Sequence, residues 1–300
     1  MMIVDSQVHI WGANTPERPW PKNRTVKAQR DVPLGSDELL REMDAAGVGR
    51  VVIVPPSWEG DRNDLGLAAA QAHPDRFAVM GRIDPVAPES RRKMASWKQQ
   101  PGMVGLRFVF HRSPLKELLT EGHADWLWGE AEKHGVPVYV LVSHPMVHLI
   151  DRVAERFPRL KLVMDHSGLV DGKDEVAFRE FDKLLAIAKR PNVATKVSCF
   201  PFFTADQYPF RKLHPYLRQA FDAFGPKRTF WGTDLSRLPC TYKQGVALFT
   251  EELPWLKGED LEWVMGRGVC EWLGWKIGTA KTPRETRTII EPPRRQEKQE

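Results

Sequence analysis

Eight short apolar runs, each followed by a longer amphipathic stretch, recur along this 300-residue chain. A short apolar run reads as a buried strand, and apolar residues three and four apart read as one face of a helix. Strands are therefore predicted over 3–10, 50–54, 77–83, 102–110, 136–142, 160–164, 192–197 and 229–232. Helices are predicted over 36–46, 64–73, 88–99, 124–134, 146–157, 177–189, 216–224 and 242–252. Ser36 is placed as the cap of the first helix and Gly47 as its stop.

A helix between two strands returns the chain to the starting edge, so successive strands run parallel. Eight such units in a chain of this length predict an α/β fold, the closed (β/α)8 TIM barrel. An open doubly wound sheet would normally carry a glycine-rich phosphate turn after its first strand. This chain has Gln7-Val8-His9-Ile10-Trp11 there. One barrel domain is expected over 1–278, with a charged, disordered tail over 279–300. Residues 12–33, rich in Pro, Arg and Trp, form a long first loop at the barrel face where substrate walls are built; a packed surface loop is the alternative.

Charge and cysteine usage narrow the function classes. The formal charge of +5 arises from 44 basic and 39 acidic residues with no basic stripe, which argues against nucleic-acid binding. Cys199, Cys240 and Cys270 lack zinc spacing and predict no disulfide framework. No run of 18 apolar residues is present and no leader is evident at Met1, so a cytoplasmic protein without membrane attachment is expected.

Chemistry-bearing residues gather at strand ends, where barrel enzymes keep their catalytic groups. Asp5, Gln7 and His9 alternate along the first strand, which places them on one face. His166 follows the sixth strand in Met164-Asp165-His166-Ser167-Gly168, and Asp234 follows the eighth in Trp231-Gly232-Thr233-Asp234. Arg107 ends the fourth strand and Arg82 the third; each can hold a substrate carboxylate or form a structural ion pair. Lys196 lies within the seventh strand, open to the same two roles, and Trp11 is placed among the substrate contacts. His144, next to Pro145, reads as a loop residue.

The segments Asp5-Ser6-Gln7-Val8-His9-Ile10-Trp11, Asp165-His166-Ser167-Gly168, Lys196-Val197-Ser198 and Trp231-Gly232-Thr233-Asp234 resemble the amidohydrolase-related family, in its lactonase-like branch. The resemblance covers roughly residues 1–275. It implies a distorted barrel and a hydrolase of a small lactone, ester or amide. Asp234 would be the general base, with His9 and His166 orienting water or polarising the carbonyl. It also implies one divalent ion, zinc or manganese, on His9, His166 and Asp234. The family's usual His-x-His is Gln7-Val8-His9 here, so Gln7 offers only a neutral oxygen. A weakly held ion is therefore expected, with metal-free operation left open. The partner expected is a small-molecule substrate, with an anionic one and a homo-oligomeric assembly both left open. The alternatives are a non-oxidative decarboxylase and a barrel that binds without turnover.

Overall fold

The computed structural model describes residues 1–22, 24 and 26–276. The tail expected over 279–300 lies outside the described residues. The strands are β1 (Val4–Val8), β2 (Arg50–Ile53), β3 (Phe77–Gly81), β4 (Met103–Val109), β5 (Val138–Leu141), β6 (Leu162–Met164), β7 (Val193–Lys196) and β8 (Thr229–Phe230). They pair in parallel in sequence order from β1 to β8. The seam beyond β8 is held by two backbone bonds, Ser6 N–H to Trp231 O at 3.2 Å and Asp234 N–H to Gln7 O at 2.9 Å. The barrel expected from the eightfold pattern is present, and the second of these bonds fixes the backbone of Asp234 beside β1.

Strand alternation divides the core in two. Val52, Ala78, Met80, Tyr139, Val163, Ala194 and Phe230 form an inner cluster with Val4. Val269 and Leu273, from the helix Gly268–Leu273, join that cluster and close the end of the barrel away from the site. Val51, Ile53, Phe77, Val79, Leu106 and Phe108 belong to the outer cluster between strands and helices. Each such side chain, fully buried, contributes roughly 1.5–3 kcal/mol.

Local details depart from the sequence reading at helix ends. The helix Ser36–Ala46 begins after Gly35, and no side chain caps it, so Ser36 is its first residue and not its cap. Asp37 and Glu38 in the first turn face the positive end of the helix dipole. Gly47 ends it at φ 73°, the left-handed conformation glycine adopts without strain. The stretch read as one helix over 88–99 divides into Ser90–Lys93 and a 3-10 turn, Met94–Gln99. That over 177–189 divides into Glu175–Phe178 and Phe181–Ile187. Among the described residues, no helix is long and apolar enough to cross a membrane.

Candidate active site

The pairing of β1 with β2 shifts register between Asp5 and Val8. This breaks the simple alternation and separates Asp5 from Gln7 and His9, correcting the expectation that all three share a face. The Asp5 carboxylate accepts from Gln7 N–H at 2.9 Å, Thr233 N–H at 3.0 Å and the Tyr242 hydroxyl at 2.9 Å, and also from the Thr233 hydroxyl. It thereby ties β1 to the seam and to the helix Tyr242–Thr250. Burial raises its pKa to about 6 against those donors. Next to it Gly232 is required: a Cβ there would stand 2.6 Å from the Ser6 hydroxyl oxygen.

His9, His166 and Asp234 converge at the mouth of the barrel, all three buried. His9 Nδ1 lies 2.5 Å from Val54 O, so it carries the proton, and Nε2 is left as an acceptor, 3.4 Å from the Gln7 amide nitrogen. That Nε2 stands 3.3 Å from Asp234 Oδ1. His166 Nδ1 is 2.8 Å from the Ser198 hydroxyl, and its Nε2 is 3.9 Å from Asp234 Oδ2. Asp234 Oδ1 is buried and has no hydrogen-bond partner.

Three non-glycine residues at neighbouring strand ends adopt left-handed backbone: His166 at φ 50°, Cys199 at φ 61° and Asp234 at φ 54°. Such a conformation costs roughly 1–3 kcal/mol and tends to persist where function requires an aimed side chain. Here it brings one ligand atom from each of the three within 4.8 Å of the others. Cys199 is buried beside Asp234, and burial, then the Asp234 charge, push its thiol pKa well up.

Below the triad lies a charged layer. Arg107 Nε donates to Asp165 Oδ2 at 2.9 Å, and Lys196 Nζ is 2.7 Å from Asp165 Oδ1. Lys196 also donates to Gln7 Oε1 and sits 3.9 Å from the centre of the Tyr139 ring. Burial lowers the Lys196 pKa to about 8, with Asp165 opposing. Burial works to raise Asp165, but Lys196 and Arg107 hold it below the ordinary carboxylate value. Burial lowers His9, and it lowers His166 to about 3, so both imidazoles are neutral near neutral pH. For Asp234 burial is again outweighed, by the facing histidines and then Arg237 and Arg107, and its pKa lies below the ordinary value.

A cavity of about 340 Å³ opens above the triad, lined at its base by His9, Arg107, His166 and Asp234. The first loop contributes Val26, Lys27 and Gln29 to its wall. Trp58, His111, Arg112 and Arg237 complete it. None of these wall residues carried a strand-end signal, because each sits in a loop whose path periodicity does not reveal. A larger groove of about 590 Å³, lined by Lys173, Phe178, Lys212 and Tyr216, contains none of the triad.

Three of the residues expected to contact substrate do not line the cavity. Arg82 turns its guanidinium aside, with Nε donating to Gly60 O at 3.0 Å, and lines a separate recess with Asp61. Trp11 is buried edge-on against Trp58, ring centres 5.3 Å apart, and so supports the wall from behind. Lys196 is wholly buried beneath. His144 Nε2 donates to Ser167 O at 2.9 Å, bracing the turn that carries His166.

Among the described residues, the ligand atoms that come together closely enough to hold one small cation are those of His166, Cys199 and Asp234, within 4.8 Å of one another; His9, expected in the set, is not in that group. Gln7 does not add to the set, because its oxygen already accepts from Lys196.

Comparison with known proteins agrees with this architecture. An amidohydrolase family profile matches residues 4–267. An L-fucono-1,5-lactonase from Burkholderia ambifaria is 26% identical over 250 residues, 78% of this chain and 81% of that protein. A 4-sulfomuconolactone hydrolase from Hydrogenophaga intermedia is 25% identical over 237 residues, 77% of this chain and 73% of that protein. Among solved structures, an amidohydrolase from Burkholderia multivorans with bound zinc superposes with a TM-score of 0.77 at 20% identity, covering 91% of this chain and 99% of the other. The match spans every strand of the barrel and all three residues of the mouth: this chain belongs to the amidohydrolase family.

Proposed function

We propose that this protein hydrolyses a small lactone, with Asp234 as the general base. The observation that carries the reading is the Asp234 carboxylate itself, ionised, buried in the cavity and with Oδ1 unpartnered beside the His9 lone pair. A carboxylate oxygen without a protein donor can accept a proton from a water molecule in the cavity. The resemblance to two lactone hydrolases supports the substrate class.

The steps follow from these positions. Water donates to Asp234 Oδ1, which turns its oxygen lone pair into the cavity. Asp234 takes one proton as the water oxygen adds to the lactone carbonyl carbon. The carbonyl oxygen gains negative charge, which Arg107 at the cavity base and His166 face; with Ser198 donating to Nδ1, His166 carries its proton on Nε2 and donates it as a hydrogen bond. The ring C–O bond then breaks, and Asp234 returns its proton to the departing alkoxide oxygen, giving a hydroxy acid. A divalent ion, when bound, would be held by His166, Cys199 and Asp234 and would supply Lewis-acid polarisation of the carbonyl.

Charge on the wall favours an anionic substrate. Among the described residues, Lys27, Arg107, Arg112 and Arg237 line the cavity and Asp234 is its one carboxylate. Arginine suits carboxylate or sulfonate oxygens through paired N–H donors. A panel of aldonolactones and carboxylated lactones tests the reading by acid release. Proton release from a lactone supports it; carbon dioxide release from aromatic acids, with no lactone opened, would assign a decarboxylase instead.

A further inference from the structure

We infer that Gln29, in the first loop, is a positioning residue that aims the Asp234 carboxylate; the inference rests on the reading of Asp234 as the base. A carboxylate turns readily about its last torsion, because that torsion has broad wells. Something must therefore decide which oxygen faces the water. Three nitrogens face Asp234 Oδ2: Gln29 Nε2 at 3.4 Å, Arg237 Nη1 at 3.7 Å and His166 Nε2 at 3.9 Å. Only the first is within hydrogen-bond reach.

The orientation of the Gln29 amide is itself set. Its Oε1 accepts from the Ser236 hydroxyl, which leaves the NH2 group turned toward Asp234. Ser236 lies in the turn just after Asp234, Leu235–Arg237. Gln29 thus clasps the eighth loop at two points, and Oδ2 is occupied while Oδ1 stays bare beside His9.

The loop that carries Gln29 is held independently of this contact. Its neck is closed by Trp11 N–H donating to Leu34 O at 3.2 Å. Arg18 donates to Glu59 at 2.7 Å and to both oxygens of Asp64 at 2.6 and 2.9 Å. Val26 and Lys27 of the same loop line the cavity. Substrate that seats against this wall therefore touches the segment that orients the base, so the loop serves alignment of the base as well as enclosure.

Gln29→Met keeps length and bulk while removing both hydrogen bonds, and Ser236→Ala removes one. Crystal structures of wild type and Gln29→Met should show one Asp234 carboxylate orientation in the first and a turned or divided one in the second. With the lactone that the wild type opens fastest, kcat should fall about tenfold in Gln29→Met and less in Ser236→Ala, with KM changed by less than about threefold. An unmoved carboxylate, a kcat within about twofold of wild type, or a rise in KM alone overturns the assignment. If the wild type opens no lactone, the proposed function fails, and the two crystal structures alone decide whether Gln29 aims Asp234.

Discussion

Asp234 Oδ1 lies 3.3 Å from His9 Nε2, and neither atom is offered a proton by the other, because the His9 proton sits on Nδ1 against Val54 O. Gln7 Nε2 lies 3.4 Å from that His9 nitrogen, whereas Asp234 Oδ1 has no hydrogen-bond partner. A buried carboxylate oxygen without a donor is costly unless a water proton, a cation or a substrate donor reaches it.

Acid inhibition should come late. Asp234 lies below its ordinary pKa, so it is ionised above the ordinary carboxylate range and loses base function only as pH falls through the depressed value. Burial likewise holds His166 down near 3 and lowers His9 from the ordinary histidine value. A kcat/KM profile on a lactone should therefore show no acid limb around the ordinary histidine pKa of about 6.5. A limb there would mean that an imidazole must lose a proton for activity.

Arg112 and Arg107 should separate substrates by charge. Arg112 is exposed and lines the cavity, so Arg112→Met carries little folding cost. It should raise KM for a carboxylated lactone about tenfold while leaving a neutral aldonolactone nearly unchanged. Arg107→Met should act in the same direction but also lower the melting temperature, since it leaves buried Asp165 with Lys196 alone. Equal KM effects on both substrate classes would return these arginines to structural roles.

Asp5→Asn should destabilise the barrel without touching the cavity. An amide oxygen cannot replace two carboxylate oxygens that accept from Gln7, Thr233 and Tyr242, and the cost should be about 1–3 kcal/mol. The folded pKa of Asp5 is raised to about 6 from 3.8. Its contribution is therefore fully present below about 4 and is lost as pH rises through about 6. Denaturant unfolding near pH 5 and pH 7 should show the larger penalty at the lower pH; a penalty that grows with pH would contradict this account.

Metal retention tests the cation fit apart from turnover. Equilibration with zinc followed by desalting should leave a sub-stoichiometric amount that chelator removes, and His166→Ala should abolish it. Gln7→His should add little, because Lys196 already occupies that side of residue 7. Tight, stoichiometric zinc in Gln7→His would show that Lys196 yields the position to a metal.

The parts of this site legible in the sequence are those that a parallel barrel places automatically. His9, His166 and Asp234 each end a strand, and closure brings those ends together whatever the loops do. Asp5 misled because alternation holds only while the register does, and β1 shifts between Asp5 and Val8. Arg82 stands at a strand end as Arg107 does, but its guanidinium bonds Gly60 O and leaves the mouth. Gln29 had no strand to announce it: it meets Asp234 across 205 positions of chain, through a loop whose course depends on Arg18, Glu59 and Asp64.

The most direct test of the account is the turnover of one lactone by wild type and Asp234→Asn, measured as acid release under identical conditions. The amide keeps the shape of the carboxylate and cannot take the proton from water. The account predicts a fall in kcat of about 10²–10⁴-fold with the variant still folded. A folded Asp234→Asn protein that opens the lactone at the wild-type rate would contradict it.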